Sequence, residues 1–402
     1  NAGLVSPVRP EPEPEPEPEP DPAVVNPSAP ARYWDTRNEP TLDTQFSNTG
    51  RVQAGATYTV QVSGRGDVPA GAKAVVANLV AIDPGTAGYA TMFPCTVTPP
   101  VASHLNFVAH DVIANSAIVP LSATGELCVF TTSAADFALD IAGYVGADSP
   151  LATIAPARYL DTRTAGGSNT VDGLAQGDGR VAAGTVRQLQ IGGRGDVPAD
   201  AQAAIVNITA VSPSAAGFLT VFDCGTRPLA STVNYLTGQV VPNGAVATLS
   251  ATGALCIYSL AATDLVVDVS GYVPADAVGI ETMTPSRLLD TRQGEPTVDA
   301  AFAGEGRVGA GQFIEVDIAG RADVPADATA AIVNVTVVNP AGPGYVTVYP
   351  CGTLPLASNI NYQSAGQVQA GNSIAKLSAT GTLCLYTLAE TDLVLDVTGW
   401  IK

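Results

Sequence analysis

Histidine, methionine and tryptophan are almost absent from this sequence of 402 residues, which contains two of each. Both histidines, His104 and His110, lie in the first third of the chain and have no counterparts further along. A Ser–His–Asp triad or a histidine-based metal site is therefore excluded as a property of the repeated units described below. We expect a protein that is not an enzyme and needs no cofactor. A site of paired carboxylates is the catalytic alternative that spacing alone leaves open.

Positive charge and long apolar runs are also scarce. Lysine occurs only as Lys73, Lys376 and Lys402, and the formal net charge is −19. Because a protein that follows nucleic-acid phosphates needs a basic surface, this class is excluded. No run of about 20 apolar residues exists, so we predict no membrane span. The 40 glycines and 31 prolines favour short strands joined by turns.

The chain contains three copies of one unit. Each copy opens on a Pro-x-Arg-x-x-Asp-Thr-Arg motif, and the aspartates of this motif are 126 and 129 positions apart (Asp35, Asp161, Asp290). Each copy closes on an Asp-x-x-Gly motif followed by an aromatic residue, which begins at Asp140, Asp268 and Asp396. Units of this size can each enclose a core. We predict three domains over residues 30–147, 154–274 and 283–402.

The six cysteines fall two per repeat. Of the 15 pairings that six cysteines allow, the repetition favours the one within each repeat: Cys95–Cys128, Cys224–Cys256 and Cys351–Cys384. Zinc would need four closely spaced ligands, and redox catalysis would need a Cys-x-x-Cys motif. Disulfides indicate an oxidising compartment. Because the chain begins at Asn1 and not at Met, we interpret it as a secreted product whose signal peptide has been removed.

The second repeat shows its predicted strands most clearly. Apolar or alternating runs bounded by turn residues lie at 186–191, 203–211, 218–224, 232–235, 245–249, 255–260 and 265–269. No segment has sustained helical periodicity. Residues 250–253 predict a tight hairpin between two of these strands. Seven or eight short strands with an internal disulfide predict an all-β protein of three tandem β-sandwich domains, whose topology the sequence leaves open.

An aspartate interrupts the last strand of each repeat. Asp268 lies among β-branched residues, and the other two repeats have the same arrangement. An arginine of the opening motif could bind this carboxylate bidentately and join the first strand to the last. The predicted salt bridges are Arg37–Asp140, Arg163–Asp268 and Arg292–Asp396. The alternative is a calcium site made of Asp161, Asp268 and backbone carbonyls.

Two copies contain Arg-Gly-Asp, the tripeptide that integrins recognise, at residues 65–67 and 194–196. The third copy has Arg-Ala-Asp at 321–323, in the same position before Val-Pro. Because the position is fixed while the tripeptide is not, we interpret the motif as a structural turn.

Residues 1–29 form an acidic, proline-rich tail. Residues 11–22 alternate an acidic residue with proline, which predicts an extended polyproline II segment without a core. Apolar residues flank this run, namely Leu4, Val5, Val24 and Val25. We predict these four as subunit contacts that dock on the sheet edge of another copy and chain copies head to tail into filaments.

The opening motif, the Val-Pro turn, an Asn-Tyr strand (Asn234-Tyr235, Asn361-Tyr362) and the Asp-Val-x-Gly-Tyr ending define the repeat. Together they make it resemble the tandem β-domains of secreted and cell-surface proteins of actinobacteria, over nearly all of residues 30–402. The resemblance implies an extracellular accessory or surface role. It brings no defined active site, so no catalytic residue is carried over. The first repeat departs from the pattern at Trp34 and after Cys95.

The leading hypothesis for function is a secreted structural or adhesive protein of the cell surface, a filament or sheath subunit joined to copies of itself through the tail. The alternative is an extracellular array of carbohydrate- or cell-wall-binding domains, in which three weak sites add up by avidity. Its candidate residues are aromatic side chains that recur at one position: Tyr89, Phe218 and Tyr345. An enzyme with a carboxylate-based site is the third hypothesis.

Overall fold

A computed structural model of the chain describes residues 24–95, 98–100, 102–164 and 169–402. These residues form 24 β-strands and no helix, which confirms the predicted all-β class. No helix among them could span a membrane. The predicted polyproline II segment and the predicted contact residues Leu4 and Val5 lie outside the described residues.

The first repeat contributes eight strands in two antiparallel sheets. The strands are β1 (Asn26–Asp35), β2 (Thr57–Gln61), β3 (Ala74–Ile82), β4 (Gly88–Pro94), β5 (Leu105–Phe107), β6 (Val112–Pro120), β7 (Glu126–Thr131) and β8 (Asp136–Val145). One sheet has the order β1-β8-β3-β6 and the other has the order β2-β7-β4-β5. We call the first the axial sheet and the second the peripheral sheet.

The second and third repeats have the same two sheets. The second repeat contains β9 (Ala152–Asp161), β10 (Thr185–Gln190), β11 (Ala203–Val211), β12 (Gly217–Phe222), β13 (Val233–Tyr235), β14 (Val240–Thr248), β15 (Ala254–Ser259) and β16 (Asp264–Val273). The third contains β17 (Ile280–Asp290), β18 (Gln312–Asp317), β19 (Ala330–Val338), β20 (Gly344–Pro350), β21 (Ile360–Tyr362), β22 (Val368–Lys376), β23 (Thr382–Thr387) and β24 (Asp392–Ile401). Their axial sheets are β9-β16-β11-β14 and β17-β24-β19-β22, and their peripheral sheets are β10-β15-β12-β13 and β18-β23-β20-β21.

One inner strand of each axial sheet, namely β3, β11 or β19, is buried on both faces. In β11, Val206 and Ile208 belong to the apolar cluster between the two sheets of the second repeat. Ile205 points the other way, into a cluster that all three repeats share. A strand whose two faces are both covered needs a nearly continuous apolar sequence, as β11 has. The sequence at 203–211 is therefore apolar because it makes contacts between repeats as well as contacts within its own repeat.

The shared cluster joins the three repeats at the centre of the molecule. Strands β6, β14 and β22 each pack against the other two, and their residues Ile118, Val246 and Ile374 are buried together. Val24 and Val25 are fully buried in the same cluster. The prediction that Val24 and Val25 contact another subunit is therefore wrong, because these side chains complete the core of their own chain.

The prediction of three tandem β-sandwich domains is also wrong. The six four-stranded sheets are arranged as in a β-propeller, and the repeats form one closed assembly around the shared cluster. The sequence suggested a string of domains because each repeat has its own apolar cluster between its two sheets. The predicted hairpin at residues 250–253 is wrong as well, since this turn joins β14 and β15, which belong to different sheets.

Three disulfides lie in the peripheral sheets, as predicted: Cys95–Cys128, Cys224–Cys256 and Cys351–Cys384. Each joins a residue at or just beyond the end of one strand to the strand paired with it, as Cys224 after β12 is joined to Cys256 in β15. None of the described cysteines is free. This pattern favours an oxidising environment for the folded protein.

The glycine of the closing motif allows the first and last strands of a repeat to approach closely. A Cβ atom on Gly271 would lie 2.6 Å from the carbonyl oxygen of Ala152 in β9. Gly143 and Gly399 have the same contact with Asn26 and Glu281. A β-bulge at this point of the β9–β16 pair brings the two backbones together. The recurring glycine is thus explained by packing between strands.

Candidate functional site

A buried arginine–aspartate pair joins the edge strand of each axial sheet to the strand beside it. Arg158 in β9 binds Asp268 in β16 through its Nε at 2.9 Å and through Nη2 at 3.2 Å. The same bidentate contact joins the equivalent residues of the other repeats, Arg32–Asp140 and Arg287–Asp396. The aspartate of the closing motif is therefore paired with the first arginine of the opening motif.

The predicted salt bridges used the wrong arginine of the motif. Arg37, Arg163 and Arg292 do not bind Asp140, Asp268 and Asp396; each binds the aspartate two positions before it, at Asp35, Asp161 and Asp290. The reason is strand register, because Arg158 is the direct cross-strand neighbour of Asp268. Arg163 follows the last residue of β9 and lies beyond the paired region.

The calcium alternative placed an ion between Asp161 and Asp268. The guanidinium group of Arg158 occupies that position, since it also contacts Asp161 Oδ2 at 3.4 Å. Burial raises the pKa of Asp268, and the facing Arg158 opposes this rise. The guanidinium group of Arg158 therefore balances the negative charge of these two carboxylates. The Glu315, Cys351 and Cys384 group also lacks a metal-binding thiolate, since both sulfurs belong to a disulfide.

The same aspartates join each repeat to its neighbour. A serine amide of one repeat donates to the aspartate of another, in the pairs Ser103–Asp268 (3.3 Å), Ser231–Asp396 (3.3 Å) and Ser358–Asp140 (3.1 Å). A buried asparagine side chain returns a hydrogen bond to the carbonyl of the same serine, in the pairs Asn207–Ser103, Asn334–Ser231 and Asn78–Ser358. The links run from repeat one to two, from two to three and from three to one, so the ring is closed. These links were not predicted, although an asparagine at one position of three apolar strands was a signal for them.

A cleft of about 610 Å³ lies between the first two repeats. The first repeat lines it with Tyr89, Asn106 and Asp111, and the second lines it with Arg163, Thr209 and Gln239. Gln367 and Gln369 of the third repeat also line this space, so all three repeats contribute to the cleft. Its lining combines an aromatic ring with amide and hydroxyl groups.

The predicted aromatic positions share one environment. Tyr89, the first of them, borders the cleft and packs against Phe130, with ring centroids 6.2 Å apart. Phe218 and Tyr345 pack in the same tilted way on Tyr258 and Tyr386. Tyr345 also lies close enough to Arg32 of the first repeat for that charge to affect its pKa, although burial is the main cause of the upward shift. The three rings thus lie at equivalent places on the peripheral sheets.

The Arg-Gly-Asp motifs are structural turns. The Arg194 guanidinium binds both carboxylate oxygens of Asp172 at 2.7 Å and donates to the carbonyl of Tyr159. This hydrogen bonding holds the pKa of Asp172 down at about 2. The equivalent pairs, Arg65–Asp43 and Arg321–Asp299, also lower the pKa of the aspartate. Because Arg194 is buried, it does not present a receptor-binding side chain.

The two histidines have separate surroundings. His104 is buried, accepts a hydrogen bond from the amide of Met92, and has its pKa lowered by burial to about 4. His110 is exposed and contacts Asp83 at 2.7 Å. Among the described residues, neither ring is hydrogen-bonded to a hydroxyl or a thiol. His104 is therefore an uncharged core residue.

No protein-family model matches the sequence, and no curated protein is significantly similar to it. The closed ring of repeats and the cleft between the first two are thus the features from which function can be inferred.

Proposed function

We propose that the protein is a secreted, non-catalytic adhesion protein of the cell surface that binds carbohydrate. The observation that carries this proposal is the cleft between the first two repeats, which offers an aromatic ring beside amide and hydroxyl groups. Carbohydrates present apolar ring faces and many hydroxyls, so a concave site with a few well-placed polar groups suits them. The alternative function drawn from the sequence thus becomes the leading one.

An extracellular location agrees with the three disulfides, which persist outside reducing compartments. The resemblance to secreted and surface proteins of actinobacteria is consistent with the same location. In this proposal, the acidic tail is a spacer that carries the ring away from its point of attachment.

The hypothesis that filaments assemble through the tail relied on four contact residues. Two of them, Val24 and Val25, are buried in their own chain. The contacts between repeats close after three repeats within one chain, so they are not the contacts that would extend a filament.

The test is depletion of the disulfide-intact chain from solution by insoluble polysaccharides: cellulose, chitin and isolated bacterial cell walls. Reduced and alkylated chain serves as the unfolded control. Retention of the folded chain on at least one polymer, with no retention of the control, is the expected result. Equal loss of both forms, or no retention on any polymer, would refute carbohydrate binding. Ordered fibres of the purified chain in electron microscopy would favour the filament hypothesis instead.

A further inference from the structure

The side chain just before β5, β13 or β21 accepts a hydrogen bond from a backbone amide of the neighbouring strand. In the first repeat the acceptor is Nδ1 of His104, which binds the amide of Met92 at 3.1 Å. In the other two repeats the acceptor is an oxygen atom, in the pairs Val221–Thr232 (3.0 Å) and Val348–Asn359 (2.8 Å). Only the first repeat therefore uses an acceptor that takes up a proton in mild acid.

Protonation of His104 would break its hydrogen bond with Met92. A neutral imidazole accepts through one ring nitrogen, whereas both nitrogens of the imidazolium are donors. A protonated Nδ1 would therefore face the amide hydrogen of Met92, and two donors cannot bond to each other. The oxygen acceptors of Thr232 and Asn359 keep their role when the pH falls.

The surroundings of His104 offer nothing to balance a positive charge. Strands β4, β5 and β6 contain no charged residue. A cavity of about 30 Å³ separates His104 from the second repeat, and Asp268 is the one carboxylate among the described residues that line it. Arg158 already binds that carboxylate at 2.9 Å. Burial lowers the pKa of His104 to about 4, which agrees with the lack of a counter-charge.

His104 and the residue before it hold the first repeat to the second. Asn115 Nδ2 donates to the carbonyl oxygen of His104 at 2.7 Å and to Asn207 Oδ1 of the second repeat at 2.8 Å. The amide of Ser103 donates to Asp268 at 3.3 Å, and its carbonyl accepts from the Asn207 side chain. A shift of residues 103 and 104 away from β4 would therefore break contacts between the two repeats.

We propose that His104 makes the interface between the first and second repeats acid-sensitive, so that protonation of its imidazole opens this interface while the other two stay closed. The cause is the replacement of an oxygen acceptor by a ring nitrogen at a position that all three repeats use for the same hydrogen bond. This property of the ring is independent of what the cleft binds.

The pH range of opening follows from the two states of His104. Its pKa is about 4 in the closed structure and has the ordinary value of 6.5 once the side chain is exposed to water. The open state therefore binds more protons between these values, so the stability that neutral His104 contributes is complete above pH 6.5 and is lost as the pH falls through about 4. The equilibrium constant for opening should rise about 50-fold between about pH 7 and about pH 4.5.

The test is hydrogen exchange of the full, disulfide-intact chain at these two pH values, with each rate divided by the intrinsic exchange rate at that pH. Peptides that cover residues 103–107 and 205–209 report on the interface between the first two repeats. Peptides that cover 231–235 and 332–336 report on the equivalent interface between the second and third. The wild type should lose protection at the first of these interfaces, by about 50-fold, and keep it at the second.

The variants His104→Asn and His104→Thr give the first repeat the acceptor of the third or of the second. Both should show the same protection at the two pH values, and their far-ultraviolet circular dichroism at neutral pH verifies that they fold. His110→Asn is the matched control, because it removes an exposed histidine, and it should behave like the wild type. Constant protection in the wild type, an equal loss at both of its interfaces, or a loss that persists in the His104 variants would overturn the proposal.

Discussion

The backbone amide of Ser358 donates a hydrogen bond of 3.1 Å to Oδ2 of Asp140, which lies 218 positions earlier in the chain. Asp140 also binds Arg32 of its own repeat at 2.5 Å. One buried carboxylate thus joins the first strand of a repeat to the last and also attaches the third repeat to the first. This contact closes the ring together with the Asn78–Ser358 hydrogen bond and the shared apolar cluster.

Replacement of Asp140 by asparagine should destabilise the protein by about 3 kcal/mol, the low end of the range for a broken buried ion pair. Arg32 would keep only Asp35, which it contacts at 2.7 Å, while its own charge stays buried. The measurement is the shift of the urea denaturation midpoint with the disulfides intact. Asp327→Asn is the control, because it removes the same charge from an exposed pair with Lys402 and should leave the midpoint unchanged. Wild-type stability in Asp140→Asn would show that this carboxylate does not close the ring.

The first and third repeats should unfold together. The chain has two tryptophans, Trp34 in the first repeat and Trp400 in the third. A Trp400→Phe variant reports on the first repeat by fluorescence, and a Trp34→Phe variant reports on the third. Because the repeats share one central cluster, we expect the fluorescence transition of each variant to coincide with its own far-ultraviolet circular dichroism transition. Separate transitions would indicate independent domains.

Loss of one disulfide should affect the whole ring. The Cys224–Cys256 bond closes a loop with a sequence separation of 32, which in the chain-entropy model stabilises the protein by about 3.5 kcal/mol. The double variant Cys224→Ala/Cys256→Ala should lose about this much in urea denaturation. Its tryptophan fluorescence should also shift to lower urea, although both tryptophans lie in other repeats. A fluorescence transition equal to that of the wild type would show that the second repeat unfolds alone.

Acid should abolish the contribution of the Asp172–Arg194 pair to the free energy of unfolding. Hydrogen bonding to Arg194 lowers the pKa of Asp172 from its ordinary value of 3.8 to about 2. The folded state therefore holds fewer protons than the unfolded state in this window, and the stabilisation present above pH 4 is lost as the pH falls through about 2. The stability difference between the wild type and Asp172→Asn should shrink between pH 4 and pH 2. A difference that stays constant would mean that Asp172 does not titrate in this way.

Asp268 and Asp396 act in the opposite direction, because burial raises the pKa of each carboxyl and the folded state then takes up protons first. Their presence in both the wild type and the Asp172→Asn variant removes their effect from the difference.

Local spacing was enough to predict the disulfides and most strands. The regular separation of Cys95, Cys224 and Cys351 from their partners fixed the pairing. In the second repeat, every predicted strand overlaps an observed one, and only β9 was missed as a strand. β9 contains Pro156 and the buried Arg158, so it lacks the apolar alternation by which a strand is recognised.

The register of the paired strands and the closure of the ring could not be predicted from the sequence. Arg158 and Arg163 both flank Asp161, and the register of β9 against β16, with its bulge between Val267 and Asp268, places Arg158 opposite Asp268. The contact between Ser358 and Asp140 depends on how the axial sheets pack, which no local pattern encodes. The buried Asn207 indicates where such a contact lies, but it does not indicate which residue is the partner.

The geometry of the ring is that of a cyclic homotrimer whose three subunits have become one polypeptide. In a true homotrimer, symmetry would force every interface to carry the same side chains, so a cleft opened at one would open at all. In the covalent chain each interface can change alone. Asn234 donates a hydrogen bond to Thr336 between the second and third repeats, while the equivalent Thr209 has no hydrogen-bond partner. Three identical subunits could not encode this difference.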